Sequence, residues 1–127
     1  MPEFSEASAT LPVADLNRAK GFYEGTLGLS SVMEDPGGIL YSAGSAHVFV
    51  YPSEFAGSNR ATAATFVVAD TEAAVEELRG KGVVFEEYDQ PGLKTENGIA
   101  EVGGVKGAWF KDTEGNILAL TEMPPMS

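Results

Sequence analysis

Apolar and polar positions alternate in two short stretches of this chain, and each stretch runs straight into a helical pattern. Leu11 and Val13 point one way along Ala9 to Val13, while Ser8, Thr10 and Pro12 point the other. Near 62–68 the same alternation sets Phe66 and Val68 against Ala63, Thr65 and Val67. A period of two is the signature of a strand with one covered face. After the first stretch, Asp15 is suited to cap a helix, because its carboxylate can accept from the free amides of the first turn. Leu16, Ala19, Phe22, Tyr23 and Leu27 then fall on one helical face, and Gly28 supplies the stop. Asp70 or Thr71 opens the second helix, which runs to about Arg79 and ends at Gly80 and Gly82. Three strands follow each helix: about 29–34, 38–43 and 46–51 in the first half, and about 83–88, 105–111 and 117–122 in the second. The segment 89–104 reads as a long loop, either a lid or binding loop or a plain surface excursion. The tail Met123-Pro124-Pro125-Met126-Ser127 is expected to fray.

The two halves are copies. Thr10-Leu11-Pro12-Val13-Ala14-Asp15 matches Thr65-Phe66-Val67-Val68-Ala69-Asp70, and beyond a one-residue deletion Gly28-Leu29-Ser30 meets Gly82-Val83-Val84. Gly38-Ile39-Leu40-Tyr41 lines up with Gly107-Ala108-Trp109-Phe110. Matches in one common order point to a duplicated βαβββ unit. The expectation is a single α+β domain over 1–127, with modules at about 6–53 and 62–123 joined by a linker at 54–61. Helices on one face of each sheet, and a less hydrophobic opposite face, imply curved mixed sheets that form a cleft.

Composition narrows the function. Hydrophobic residues at 43% and charged residues at 21% suit a globular chain of 127 residues. Eight Lys and Arg against 19 Asp and Glu leave a formal charge of −11. That balance disfavours nucleic acid and anionic membranes, both of which need cations on the protein. The absence of cysteine removes disulfides, thiolate metal sites and cysteine nucleophiles. With His47 as the one histidine, a His-rich zinc site within one chain is excluded. The acidic N-terminus lacks an apolar run, so a cytoplasmic protein is expected.

Asp15-Leu16-x-x-Ala19-x-x-Phe22-Tyr23-x-x-x-Leu27-Gly28, followed by Asp112-x-x-Gly115-Asn116-x-Leu118, resembles the vicinal oxygen chelate superfamily of glyoxalase I, bleomycin-resistance proteins and extradiol dioxygenases. The resemblance covers about residues 6–122. It implies paired βαβββ modules whose cups are usually completed by dimerisation or tandem pairing. Metal-dependent relatives place His, Glu or Gln on four inner strand positions, which correspond here to Ser8, Phe49, Ala63 and Ala119. A two-residue slip would bring His47 to one of them. Neither register supplies the three protein ligands a catalytic ion normally keeps, so no metal and no cofactor are expected.

The aromatic residues are the remaining chemistry. Alternation puts His47, Phe49 and Tyr51 on one face of the first closing strand, and Ile117, Ala119 and Thr121 on the matching face of the second. Tyr41 and either Trp109 or Phe110 would join them from neighbouring strands, with Glu101 nearby to favour a cation. Such a groove could stack planar or cationic ligands, though core or interface packing explains the same residues. His47 reads either as a hydrogen-bonded strand residue or as a general base. The expectation is a metal-free homodimer that binds or sequesters a small aromatic or cationic molecule. The alternative is a glyoxalase-like lyase or isomerase, either metal-independent or with an atypical metal site. Whether the chain is an enzyme stays open.

Overall fold

The computed structural model describes residues 2–122, so the expectation for the tail at 123–127 lies outside the described residues. Strand β1 (Ala9–Val13) leads into helix α1 (Leu16–Lys20), which continues as a π-helical segment over Gly21–Thr26. Strands β2 (Ser30–Asp35), β3 (Gly38–Ala43) and β4 (Ala46–Pro52) complete the first module. The second contains β5 (Thr62–Val67), α2 (Thr71–Gly80), a small hairpin of β6 (Asp89–Gln90) and β7 (Leu93–Lys94), then β8 (Ile99–Val102), β9 (Val105–Lys111) and β10 (Ile117–Thr121). Two mixed four-stranded sheets result, ordered β1-β4-β3-β2 and β5-β10-β9-β8. In each, the leading strand pairs parallel with the closing strand and the other pairs are antiparallel. This is the tandem βαβββ plan.

Both helices start as their sequences dictate. The Asp15 carboxylate accepts from the Arg18 amide and that of Asp70 from the Ala73 amide, at 3.0 and 3.1 Å. The one-residue offset between the halves has a structural counterpart. The first helix carries one residue more than the second between its cap and its terminal glycine, and absorbs it by widening. The Leu27 amide donates to the Phe22 carbonyl at 2.9 Å, an i to i+5 bond.

The expected strand at 83–88 is corrected. Its only ladder contact is an isolated bridge between Phe85 and Phe110, supported by a bond from the Glu86 amide to the Trp109 carbonyl. Its place as the sheet's outer strand is taken by Ile99–Val102, inside the segment read as loop. Two apolar anchors explain the segment: Val83 and Phe85 are buried, and the Phe85 ring meets Phe110 edge-on at 5.5 Å. They tie it to the core as a strap.

One core serves both modules. Leu11, Val13, Ile39, Tyr41, Val48 and Val50 pack with Phe110, Leu118, Leu120, Val75 and both aromatic residues of the first helix. Phe22 lies 6.4 Å from Phe110 and 5.3 Å from Tyr23, so the first helix covers the second sheet as well as its own. No helix among the described residues is long and apolar enough to cross a membrane.

Candidate functional site

Strand register decides which side chains face away from the helices. In β4 the buried residues are Val48 and Val50, which leaves His47, Phe49 and Tyr51 half-buried on the opposite, inner face. In β10 the helix side takes Leu118 and Leu120, so Ile117, Ala119 and Thr121 face inward. Phe49 sits between Thr10 and Leu40, and Ala119 sits between Thr65 and Trp109. Thr10 and Thr65, like Leu40 and Trp109, are repeat equivalents. Phe49 is therefore the true counterpart of Ala119, and the alternative register that substitutes His47 does not hold.

The inner faces carry two aromatic pairs. Phe49 and Tyr51 stack with 6.2 Å between centroids and 4° between planes. Trp109 meets Tyr88 edge-on at 5.6 Å. Gly38 explains how Phe49 lies so flat on its sheet: a Cβ there would come within 2.5 Å of the Phe49 ring and of the Val50 carbonyl. Tyr88 was not among the residues singled out from sequence. It ends the strap, and the Phe85 anchor and the bond from the Glu86 amide to the Trp109 carbonyl bring the segment alongside Trp109.

The remaining expected residues separate. The choice between Trp109 and Phe110 resolves to Trp109 inward and half-buried, with Phe110 wholly buried beneath the helices. Tyr41 also belongs to the helix side and does not reach the aromatic groove. It is fully buried and stacks on Tyr23 at 5.9 Å. Its hydroxyl donates to Glu24 at 2.9 Å, and burial followed by that carboxylate pushes its pKa up. Glu101 is placed differently as well. It pairs in register with Lys106, whose ammonium is bound by Glu72 of α2, so it shares the helix side with a charged hollow. The inner-face set is thus Phe49, Tyr51, Trp109 and Tyr88, with His47 at one end.

The donor set does not fit a divalent ion. Two of the four positions implied by the resemblance, Ala63 and Ala119, are alanines, and Phe49 offers only a ring. Ser8 offers one exposed hydroxyl, which donates to Glu6 at 3.4 Å. No group of three or more His, Asp or Glu side chains converges among the described residues. His47 is engaged through Nδ1 with the Glu6 carboxylate at 2.5 Å, and Nε2 has no partner among the described residues.

The strongest polar cluster is structural. The turn Asp112 to Asn116 clamps the end of β1 and the start of α1. Glu114 accepts from the amides of Ala14 and Asp15, both at 2.9 Å, and from the Arg18 guanidinium at 2.7 and 2.9 Å. The Asn116 side-chain Nδ2 donates to the Pro12 carbonyl at 2.8 Å, and the Tyr23 hydroxyl donates to Asp112 at 2.6 Å. The bond from Arg18 is the largest influence holding the Glu114 pKa down to about 2, and it overcomes the cost of burial. The turn that carries the second half of the family resemblance is therefore a fastening between modules.

The fold is one that known proteins share. The family model for the Glyoxalase/Bleomycin resistance protein/Dioxygenase superfamily matches residues 7–120, and the chain belongs to that superfamily. Among solved structures, the bleomycin-binding protein of bleomycin-producing Streptomyces verticillus, complexed with copper(II)-bleomycin, is similar at a TM-score of 0.70 and 22% identity, over 98% of this chain and 100% of that one. A lactoylglutathione lyase from Agrobacterium tumefaciens superposes with a TM-score of 0.71 at 16% identity, over 95% of each chain. UcmS2 gives 0.76 at 18% identity, over 96% of this chain and 100% of its own. At these identities the likeness is one of fold. No curated protein sequence matches.

Proposed function

We infer that this chain is a metal-free binding protein that takes a small aromatic or cationic molecule on its inner faces, with a second copy of the chain completing the site. The observation that carries this reading is the pair of half-buried aromatic contacts, Phe49–Tyr51 and Tyr88–Trp109, at and beside positions where the family's metal ligands would stand. Aromatic side chains turned away from the core present stacking surface, and a cation over such a ring gains about 0.5–2 kcal/mol. The formal charge of −11 favours the same sign of ligand over the whole surface. The similar fold of the bleomycin-binding protein, which holds copper(II)-bleomycin, supports this reading.

Trp109 is the sole tryptophan, so its emission reports directly on the proposed face. Titration with cationic aromatic compounds should shift or quench that emission and raise the melting temperature. Trp109→Ala should weaken binding measured by calorimetry about tenfold. A compound that binds with unchanged affinity in Trp109→Ala, and leaves wild-type emission unmoved, would remove this reading.

His47 supports a second reading. A histidine whose Nδ1 is held by a carboxylate presents Nε2 as a base, the arrangement that proton-abstracting enzymes use. A glyoxalase-like isomerase without metal would then depend on Glu6 as well as His47. Turnover on an α-hydroxycarbonyl or hemithioacetal substrate that disappears in both His47→Ala and Glu6→Gln would favour it.

A further inference from the structure

The two modules share one strand order, and only one of the two equivalent junctions is filled. At the first, the five-residue turn from Asp112 to Asn116 reaches the end of β1 with long polar side chains, and Tyr23 of the first helix meets it. At the second, the equivalent turn joins β3 to β4 and contains Ala43, Gly44, Ser45 and Ala46. The equivalent of Tyr23 is Leu78, and that of Arg18 is Ala73. Small or apolar residues stand in place of the fastening's polar side chains, apart from Ser45. A hollow of about 650 Å³ remains between the end of β5, helix α2 and this short turn. Its walls are apolar and largely aliphatic: Leu27, Leu29, Phe66, Val68, Leu78 and Leu120.

The charge around the hollow is one-sided. Glu77, exposed on α2, is the one carboxylate among the lining side chains, and no Lys or Arg lines it. His47 also borders it, but its Nδ1 is bound to Glu6, so a second carboxylate stands just behind. Aliphatic walls suit a flexible hydrocarbon better than a flat ring, and the volume is in the usual range for a small-ligand site. The rim selects a positive head group.

We propose that this hollow is a second ligand site, taking an aliphatic chain that ends in an ammonium group directed at Glu77. Most of its walls lie on the helix side of the sheets, with His47, Thr65 and Val67 at the rim, and none of Phe49, Tyr51, Tyr88 and Trp109 lines it.

The test uses n-octylammonium, octan-1-ol and octanoate as probes of the full chain. Octylammonium should bind at least tenfold tighter than octanoate, with octanol between them. Glu77→Gln should bring ammonium and alcohol together, because it removes charge without changing shape. Ala74→Leu, which pushes a larger side chain into the hollow, should weaken octylammonium about tenfold, whereas Trp109→Ala should leave it unchanged. In the wild-type protein, nuclear Overhauser contacts should run from the probe's methylenes to the Phe66 ring and the Leu27 and Leu29 methyls, a readout that does not depend on any variant folding. Contacts to Trp109 or Tyr51 instead, equal affinity for all three probes, or no binding because a second copy covers Phe66 would each overturn the proposal.

Discussion

At the scale of single residues, Glu114 is a buried carboxylate with the richest bonding of any described. Its side chain is wholly shielded, yet it accepts from two backbone amides and from Nε and Nη2 along one edge of the Arg18 guanidinium. The folded chain holds its pKa at about 2, below the ordinary carboxylate value of 4.5, so the folded state favours the ionised form. A group depressed in this way adds stability above its unfolded pKa and loses it as pH falls through the folded one. Unfolding free energy should therefore drop between about pH 4.5 and pH 2, a window set by Glu114 itself. Glu114→Gln should cost about 1–2 kcal/mol at neutral pH, because the solvated Arg18 keeps its hydration while one backbone amide loses its acceptor. The variant should also show a flatter acid limb in urea titrations repeated across pH. An unchanged acid limb would mean that other carboxylates govern it. Sequence could show that Asp112, Gly115 and Asn116 form a turn, and no more. The turn's partners Pro12, Ala14 and Arg18 lie about a hundred positions away in the chain, and local pattern carries no record of such pairings. Tyr41 is a different kind of miss. Its alignment with Phe110, opposite in facing to the Trp109 position, already assigned it to the core; strand alternation applied across the repeat was the unused signal.

Element by element, the parts with a strong period were legible and the strap was not. Residues 83–88 have a strand-like composition, yet the chain spends Val83 and Phe85 on anchoring and forms its edge strand from Ile99–Val102. Strand propensity reflects fit to a half-buried pleated surface, so two segments competing for one edge cannot be ranked by propensity alone. The widened first helix was visible as a shift in repeat spacing, although nothing in that shift says whether the extra residue sits in the helix or after it. The widened turn carries a testable weakness. Gly25 has helical surroundings, ordinary negative φ, and open space where a Cβ would project. Gly25→Ala should stabilise the protein by about 0.5–1 kcal/mol through lower unfolded-state entropy and better helix propensity. Urea denaturation should show a higher midpoint with an unchanged slope. A destabilised variant would show that the π-helical segment needs glycine's freedom at that position.

For the whole molecule, the open question is what covers the outer edges and inner faces of its sheets. Every residue of β2 is exposed, including Val32 and Met33, and Val67 on β5 and Val102 on β8 also present apolar surface. Exposed edges of this kind pair with other strands unless something blocks them. Duplication solves half of the problem, since β1 and β5 bring the two sheets together within one chain, and it leaves β2 and β8 as free margins. The reading of a homodimer follows from those margins together with the aromatic inner faces. Light scattering at micromolar concentration should give twice the chain mass of 13.3 kDa. Met33 pairs with Leu40 and so shares the inner face, and Met33→Glu should shift the population towards monomer. Two copies each carrying −11 repel one another, so the dissociation constant should fall as salt is raised and the Debye length shrinks. Salt alone also strengthens apolar association, which makes the variant the deciding measurement. If Met33→Glu and wild type associate equally at every salt concentration, the contact lies elsewhere, and the inner faces stay open to solvent and to ligand in a single chain.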